Sequence, residues 1–466
     1  MGANHQVTGS CCLLETAGRR VLVDCGLYQE RPYLERNWDP FPFSPESLDA
    51  LLLTHAHLDH SGLIPKLVKE GFSGRILATA ASAELLPIVL KDAARLQVED
   101  ADFKKKRHKK EGRKGPHPEV PLYDEDDVER ALPLVETGAY GKSVSLGPSL
   151  SAVFHDAGHI LGSSMIEVLA AEGGKTARII FSGDVGQWNR PLVRDPSVFA
   201  SADVVVMEST YGDRDHHDPM DPQSLMAKII NETVEAGGNI IIPTFALDRA
   251  QLLLYHLGRL IGSDRVPHIM TFLDSPMAAE VTGVFERHPE YLDQEAEDLF
   301  RSGRNPFRFP GLKMIHSSEE SKAINRIRGS CVILAGSGMC TGGRIKHHLV
   351  RNISRPDSTI LFVGYQAKGT LGRQILEHAP EVRIFGQPFP VKARIEEIHG
   401  FSAHAGQSGL LEWLGHFQQR PSILFLMHGE REAGLALAER LKKDGWNVHV
   451  PEYKEDWELK LTRLKP

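Results

Sequence analysis

His55-Ala56-His57-Leu58-Asp59-His60 places three imidazoles and a carboxylate within six residues, directly after an apolar run. That run, residues 48–54, is predicted to be a strand. Side chains two apart in an extended chain point the same way, so His55 and His57 can bind one ion together. A helix over residues 62–69, stopped by Gly71, is expected to follow. The turn into it lets Asp59 and His60 face a second ion close by. Neutral imidazoles with a carboxylate suit zinc, and manganese fits the same donors. A solvated histidine-rich turn is the bland alternative, but such a cluster rarely arises by chance.

A two-ion site needs further ligands, and the sequence offers them at the ends of predicted strands. His159 follows a strand over 149–155. Asp184 follows a strand over 177–182, with Gly183 between them allowing a close backbone approach. His428 follows a strand over 422–427. Asp24 ends the run that begins at Arg20, and Glu208 ends a strand over 202–208. Any one of His159, Asp184 and His428 would more often be a turn residue than a ligand; three at strand ends, with the cluster upstream, argue together.

The rest of the chain sets the frame. At 466 residues it is too long for one ordinary domain. Apolar residues make up 41% and charged residues 25%, the profile of a soluble globular protein. No apolar run nears the ~18 residues that cross a bilayer, and the first residues lack the basic-then-apolar pattern of a secretion signal. Five cysteines without a CxxC pair argue against a disulfide framework and for the reducing cytoplasm. Between about 212 and 391, strands at 239–243, 268–273, 331–335 and 359–363 alternate with helical stretches, which predicts a parallel sheet with crossover helices. Strands at 422–427 and 448–451 surround a helix over 430–443.

Residues 82–102 carry helical spacing. They precede Lys104, Lys105, Lys106, Arg107, Lys109, Lys110, Arg113 and Lys114. This basic segment is most simply a solvated loop at a helix end; its other reading is an arm that meets a nucleic-acid backbone. The net charge of −7 does not advertise a nucleic-acid binder, although phosphate contacts need only local positive charge. His216, His217 and Asp218 read as a polar loop rather than another metal site.

With these residues in view, the chain resembles the metallo-β-lactamase superfamily. His55, His57, Asp59 and His60 match its HxHxDH motif, His159 and Asp184 its later ligands, and Asp24 its buried acid after the first motif strand. Glu208-Ser209-Thr210-Tyr211-Gly212, Gly400-Phe401-Ser402-Ala403-His404-Ala405-Gly406 and His428-Gly429-Glu430 resemble motifs A, B and C of the β-CASP subfamily. Asp274-Ser275-Pro276-Met277 and Ala335-Gly336-Ser337-Gly338-Met339 match its inserted domain. The resemblance implies an α/β fold: a metallo-β-lactamase αββα sandwich from residues 1–211 and 392–466, with a β-CASP domain, a parallel sheet flanked by helices, at 212–391. It implies that His55, His57 and His159 hold a first zinc, that Asp59 and His60 hold a second, and that Asp184 bridges them. His428 would complete the second ion's ligands and Asp24 would orient the site from behind. Histidine in motif C favours RNA over DNA. The family's usual edge strand before Val7 is expected to be short or missing here, or the true start to lie upstream.

Two zinc ions about 3.5–4 Å apart can share a hydroxide and bring its pKa towards neutrality. The expected activity is therefore that of a ribonuclease, endonucleolytic or working from the 5′ end, through in-line attack of that metal-bridging hydroxide on phosphorus. Asp59, Glu208 and His404 form the expected catalytic set. His404, oriented by Glu208, would protonate the departing 3′-oxygen. Ser337, Gly338 and Arg344, a glycine-rich turn before a helix, are candidate contacts to RNA phosphate. The expected partner is single-stranded RNA, with no membrane and with a homodimer as the candidate assembly. Other classes are a DNA-processing nuclease of the same fold, a thioester or lactone hydrolase on the same zinc site, and a non-catalytic RNA-binding scaffold. The hydrolase would need neither Glu208 nor His404, and scaffolds have lost ligands that this chain keeps.

Overall fold

Strand alternation builds the layers of the first of two compact units. A computed structural model describes residues 2–459 except 113, 114, 116, 118, 328 and 368. It divides into Met1–Asp215 with His404–Pro466, and His216–Ala403. In the first unit, a five-stranded sheet runs Cys12–Thr16, Arg19–Val23, Ala50–Leu52, Arg75–Ala78, Val135–Thr137 in spatial order. A seven-stranded sheet runs Val448–His449, Ile423–Met427, Val204–Glu208, Lys175–Phe181, Ser164–Glu172, Leu150–Asp156, Ser143–Gly147. Successive side chains on a strand point to opposite faces. Val21, Val23, Ala50 and Leu52 thus meet Phe154, Ile166, Phe181 and Val204 between the sheets. Leu22, Leu51 and Ile76 turn outward onto Ile64, Leu67 and Leu86, and Ile180, Val205 and Leu424 onto Trp413, Leu414 and Leu437. The result is an αββα sandwich.

The chain's return after the second unit completes the seven-stranded sheet. Ile423–Met427 lies parallel to Val204–Glu208, in register from Val204 opposite Ile423 to Glu208 opposite Met427. Glu208 and His428 therefore emerge at the same sheet edge. Residues 2–11 form no strand, and among the described residues Cys12–Thr16 pairs only with Arg19–Val23.

The helix expected over 62–69 begins earlier, as Leu58–Ser61 inside the motif, and resumes at Ile64–Lys69 after a break at Gly62 and Leu63. A larger correction concerns the basic segment. The helix predicted over 82–102 spans Ala80–Glu111, capped by the Thr79 hydroxyl, which accepts the Ser82 N–H, and closed at Gly112 with φ +65°. Lysine and arginine are good helix formers and glycine closes the last turn, so Lys104 to Lys110 lie on helix rather than loop. Arg113 and Lys114 lie outside the described residues. Among the described residues no helix is long and apolar enough to cross a membrane.

The second unit is built on six parallel strands ordered Leu312–Met314, Met270–Asp274, Cys331–Ala335, Ile240–Pro243, Thr359–Phe362, Arg394–Glu397. Three central strands are buried along their whole length, as expected for a parallel sheet covered on both faces. Arg394–Glu397 lies past the expected boundary at 391. Only one of its four residues is apolar, which its edge position permits and which hides it from a hydrophobicity reading. At the end of Met270–Asp274, the fully buried Asp274 carboxylate accepts hydrogen bonds from Arg344 Nη1 (2.7 Å), His348 Nε2 (2.6 Å) and Ser321 Oγ (2.5 Å). It thereby ties two following helices, Ser318–Ile324 and Ile345–Asn352, to the strand end. Asp274→Ala strands these donors, and a denaturant titration is expected to show a loss of about 3–5 kcal/mol from the transition of this unit.

Candidate metal centre

Six strand ends and one short helix deliver most of the polar groups of the site in the first unit. Asp24 ends the strand Arg19–Val23 in the left-handed region, at φ +61°. Its carboxylate accepts the Thr54 N–H (2.8 Å), the Thr54 hydroxyl (2.9 Å) and the Ser10 hydroxyl (3.3 Å). It also lies 2.7 Å from His60 Nδ1. With Nδ1 held by Asp24, His60 turns Nε2 to the interior of the site. Asp184 is brought in by Gly183 at φ +54°, where a Cβ would come within 2.9 Å of Thr54 Cβ and 3.1 Å of the Ser164 carbonyl oxygen. His159 is fixed through its backbone: its N–H donates to Ser163 Oγ (3.1 Å) and its carbonyl accepts from Arg190 Nη1 (3.1 Å). His428 leaves its strand at φ +49°.

These side chains converge in two groups. In the first, His55 Nε2 lies 3.1 Å from His57 Nδ1, and His159 Nε2 lies 3.4 Å from the same atom. Asp184 Oδ2 is 3.5 Å from His55 Nε2 and 3.4 Å from His159 Nε2. In the second, His60 Nε2 lies 3.0 Å from His428 Nε2 and 3.2 Å from Asp184 Oδ1, while Asp59 Oδ2 lies 3.5 Å from His428 Nε2. Asp184 therefore offers one oxygen to each group. Among the described residues neither oxygen has a hydrogen-bond partner, although both are buried, and His159 Nδ1 is likewise buried without one.

The donor set fits metal. A tetrahedral ion with bonds of ~2.0–2.1 Å sets its ligand atoms about 3.3 Å apart, which is the spacing of the first group. Burial, followed by the charge of His60, pushes the His55 pKa well below its ordinary value. Burial and the charge of His404 do the same to His159. Both rings are thus neutral, as ligands must be. Burial works against the charge on Asp184, but His428, His60 and His404 outweigh it and hold this carboxyl well below the usual range.

Beside the two groups stands an acid–histidine couple. Glu208, 1% exposed, lies with both carboxylate oxygens 3.1 Å from His404 Nδ1. The N–H of Val185 (2.6 Å) and of Thr210 (3.3 Å) donate to the same carboxylate and lock it in place. His404 Nε2 points the other way, 3.9 Å from Asp184 Oδ2. Burial lowers the tendency of this ring to hold a charge, but Glu208 and Asp184 offset it and raise the pKa to about 9.

The structure thus brings together Asp24, His55, His57, Asp59, His60, His159, Asp184, Glu208, His404 and His428. Ser337, Gly338 and Arg344 belong to the second unit. There Ser337 Oγ accepts the Gly342 N–H (3.2 Å), and a Cβ on Gly338 would come 2.7 Å from the Phe245 ring. Arg344 caps the helix Ile345–Asn352, and its guanidinium is engaged by Asp274 (2.7 Å) and the His316 carbonyl (2.9 Å). Asp218 accepts the N–H of His399 (2.9 Å) and Gly400 (2.6 Å), a role that pins a loop.

Sequence reasoning missed the hydroxyls that support the site. Thr54 contacts Asp24 and lies 3.1 Å from His55 Nδ1. Thr210 Oγ1 lies 3.3 Å from His428 Nδ1 and donates to the His428 carbonyl (2.9 Å). Their only signal was a polar residue beside each histidine or acid at the close of an apolar strand.

Known proteins share this layout. Three family profiles match: "Metallo-beta-lactamase superfamily" over residues 6–159, "Beta-Casp domain" over 250–375, and "Zn-dependent metallo-hydrolase RNA specificity domain" over 388–451. Ribonuclease TTHA0252 of Thermus thermophilus is 42% identical over 97% of this chain and 98% of its own length. Transcription termination factor FttA of Methanosarcina mazei is 32% identical over 95% of this chain and 68% of its own; that of Methanocaldococcus jannaschii is 31% identical over the same shares. With a relative of that identity aligned almost end to end, over a sandwich whose strand ends gather these histidines and acids, the chain belongs to the β-CASP family of the metallo-β-lactamase superfamily.

Proposed function

We propose that this protein is a metal-dependent ribonuclease that hydrolyses phosphodiester bonds of single-stranded RNA in the cytoplasm. One observation carries the reading: Asp184 turns one oxygen to His55 and His159 and the other to His60 and His428, and the Glu208–His404 couple stands beside them. The names of its relatives support RNA as substrate. His55, His57, His159 and Asp184 would hold one zinc ion, and Asp59, His60, His428 and the other oxygen of Asp184 a second; manganese suits the same donors. Bound there, the ions supply Lewis acidity to the phosphate and a water of lowered pKa.

The chain's own residues manage the protons. Hydrolysis adds water across the bond between phosphorus and the 3′-oxygen, and that oxygen must leave protonated. His404 is the donor: Glu208 holds Nδ1, so the proton available to the leaving group is on Nε2, the nitrogen facing Asp184. A pKa near 9 keeps the ring protonated at neutral pH. A thioester or lactone hydrolase would leave this couple without a task, and a DNA nuclease is the remaining competitor. The purified protein, loaded with zinc and offered 5′-labelled single-stranded RNA, the matching DNA and an aryl thioester, decides among them; RNA should be cut and the other two spared.

His404→Ala is expected to retain metal, measured by elemental analysis, yet to lose about 10²–10⁴ in turnover, the usual worth of a general acid. Asp184→Asn is expected to lose metal as well as activity. The pH profile gives a separate check. An acid works only while protonated, so turnover is expected to persist below the His404 pKa and to fall as pH rises through it. Glu208→Gln removes a carboxylate that raises this pKa, so in that variant the fall should begin at lower pH.

A further inference from the structure

The helix Ala80–Glu111 changes character halfway along. Up to Ala94 it buries Leu85, Leu86, Val89, Leu90 and Ala93, whereas from residue 95 to 111 only Ala101 and His108 are buried. At 1.5 Å per residue this leaves about 25 Å of largely exposed helix. The chain returns along it: the Leu122 N–H donates to Gln97 Oε1 (3.2 Å), and Glu119 lies 2.5 Å from His108 Nδ1. The arm is thus anchored through Gln97 and His108, and its cations face solvent.

Six cationic side chains occupy positions 104–110. Lys104 pairs with Asp100 (2.7 Å) and Arg107 with Glu111 (2.8 Å). Among the described residues, Lys105, Lys106, Lys109 and Lys110 have no carboxylate within 4.0 Å. At about 100° per residue, Lys105 and Lys109 form one row and Lys106 and Lys110 the next, a single face about 140° wide. Like charges four apart repel and weaken a helix, so this face is costly in the free protein. At its margin stands Phe103, 64% exposed, the most exposed large apolar side chain among the described residues. A helix made for a membrane surface would set a broad apolar face against its cations; among the described residues 95–111 the exposed large apolar side chains are Leu96, Val98 and Phe103, too few for such a face.

We propose that this face is an RNA-binding surface additional to the metal centre, with the four lysines on successive phosphates and Phe103 stacked on a base. It rests on the ribonuclease reading and extends it: long substrates gain contacts that short ones lack. Neutralising a phosphate releases a counterion, so binding must weaken with salt in proportion to the lysines engaged. Stacking on Phe103 is tolerant of sequence.

The test uses a fluorescein-labelled 30-nucleotide oligouridylate in EDTA, which prevents cleavage. Replacing Lys105, Lys106, Lys109 and Lys110 with glutamine is expected to reduce the slope of log K against log salt by about 2–3, and to weaken binding at ~0.1 M salt at least tenfold. Phe103→Ala should weaken it about fivefold or more. Arginine at the four lysine positions should retain binding, which separates lost charge from lost fold. With zinc present, the glutamine variant should show a raised KM on the 30-mer and unchanged kinetics on a hexamer. Unchanged slope, affinity and KM would overturn the proposal. So would vesicles containing phosphatidylserine that bind the wild type but not the glutamine variant, with RNA affinity unaltered. A wild-type protein that cuts no RNA would instead remove the nuclease reading, while the binding comparison in EDTA still decides this one.

Discussion

A carboxylate whose two buried oxygens have no hydrogen-bond partner among the described residues is the constraint around which the first unit is arranged. Asp184 is 2% exposed, and burying an anion is costly unless positive charge answers it. The chain answers with imidazoles on every side. His55 and His159 face one oxygen as neutral rings, and His60 and His428 face the other. Crowded nitrogen atoms at 3.0–3.5 Å around a single acid make poor sense as a hydrogen-bond network. They make good sense as the inner wall of a cation site.

The backbone shows what that arrangement costs. Asp24 and His428 are non-glycine residues in the left-handed region, a conformation held only where the surroundings enforce it. Around Asp24 they do so through Thr54, Ser10 and His60. Around His428 they do so through Thr210 and through the strand register that sets Glu208 opposite Met427. The sandwich core supplies the rigidity behind this: the strands that lead to Asp24, His55, Asp184, Glu208 and His428 pack apolar side chains on both faces, and Leu150–Asp156 does so on one.

Much of this was legible in the residues because a histidine cluster at a strand end is a chemical statement as much as a structural one. His55 to His60 announced a site, and the apolar runs before Asp24, Glu208 and His428 told where its other members would emerge. Long-range pairing was not legible: no local pattern says that residues 423–427 lie beside 204–208. The supporting hydroxyls were hidden for a similar reason, because threonine at a strand end looks the same with or without an acid behind it. Arg394–Glu397 was missed because an edge strand need not be apolar. The basic run was misplaced because charge density suggests exposure and says nothing about whether the exposed backbone is helical.

Glu208 and its neighbours leave the ribosome well before the strand that completes their sheet. Residues 216–403 form a separate unit and must be synthesised in between. A nascent chain that has reached Ala403 already carries Asp59, His60, Asp184 and Glu208, yet it lacks both His404 and His428. The histidine that pairs with Glu208 and one of those facing Asp184 arrive only after the second unit has been made. Until His404 and His428 have been made, the chain on the ribosome carries only part of the pocket.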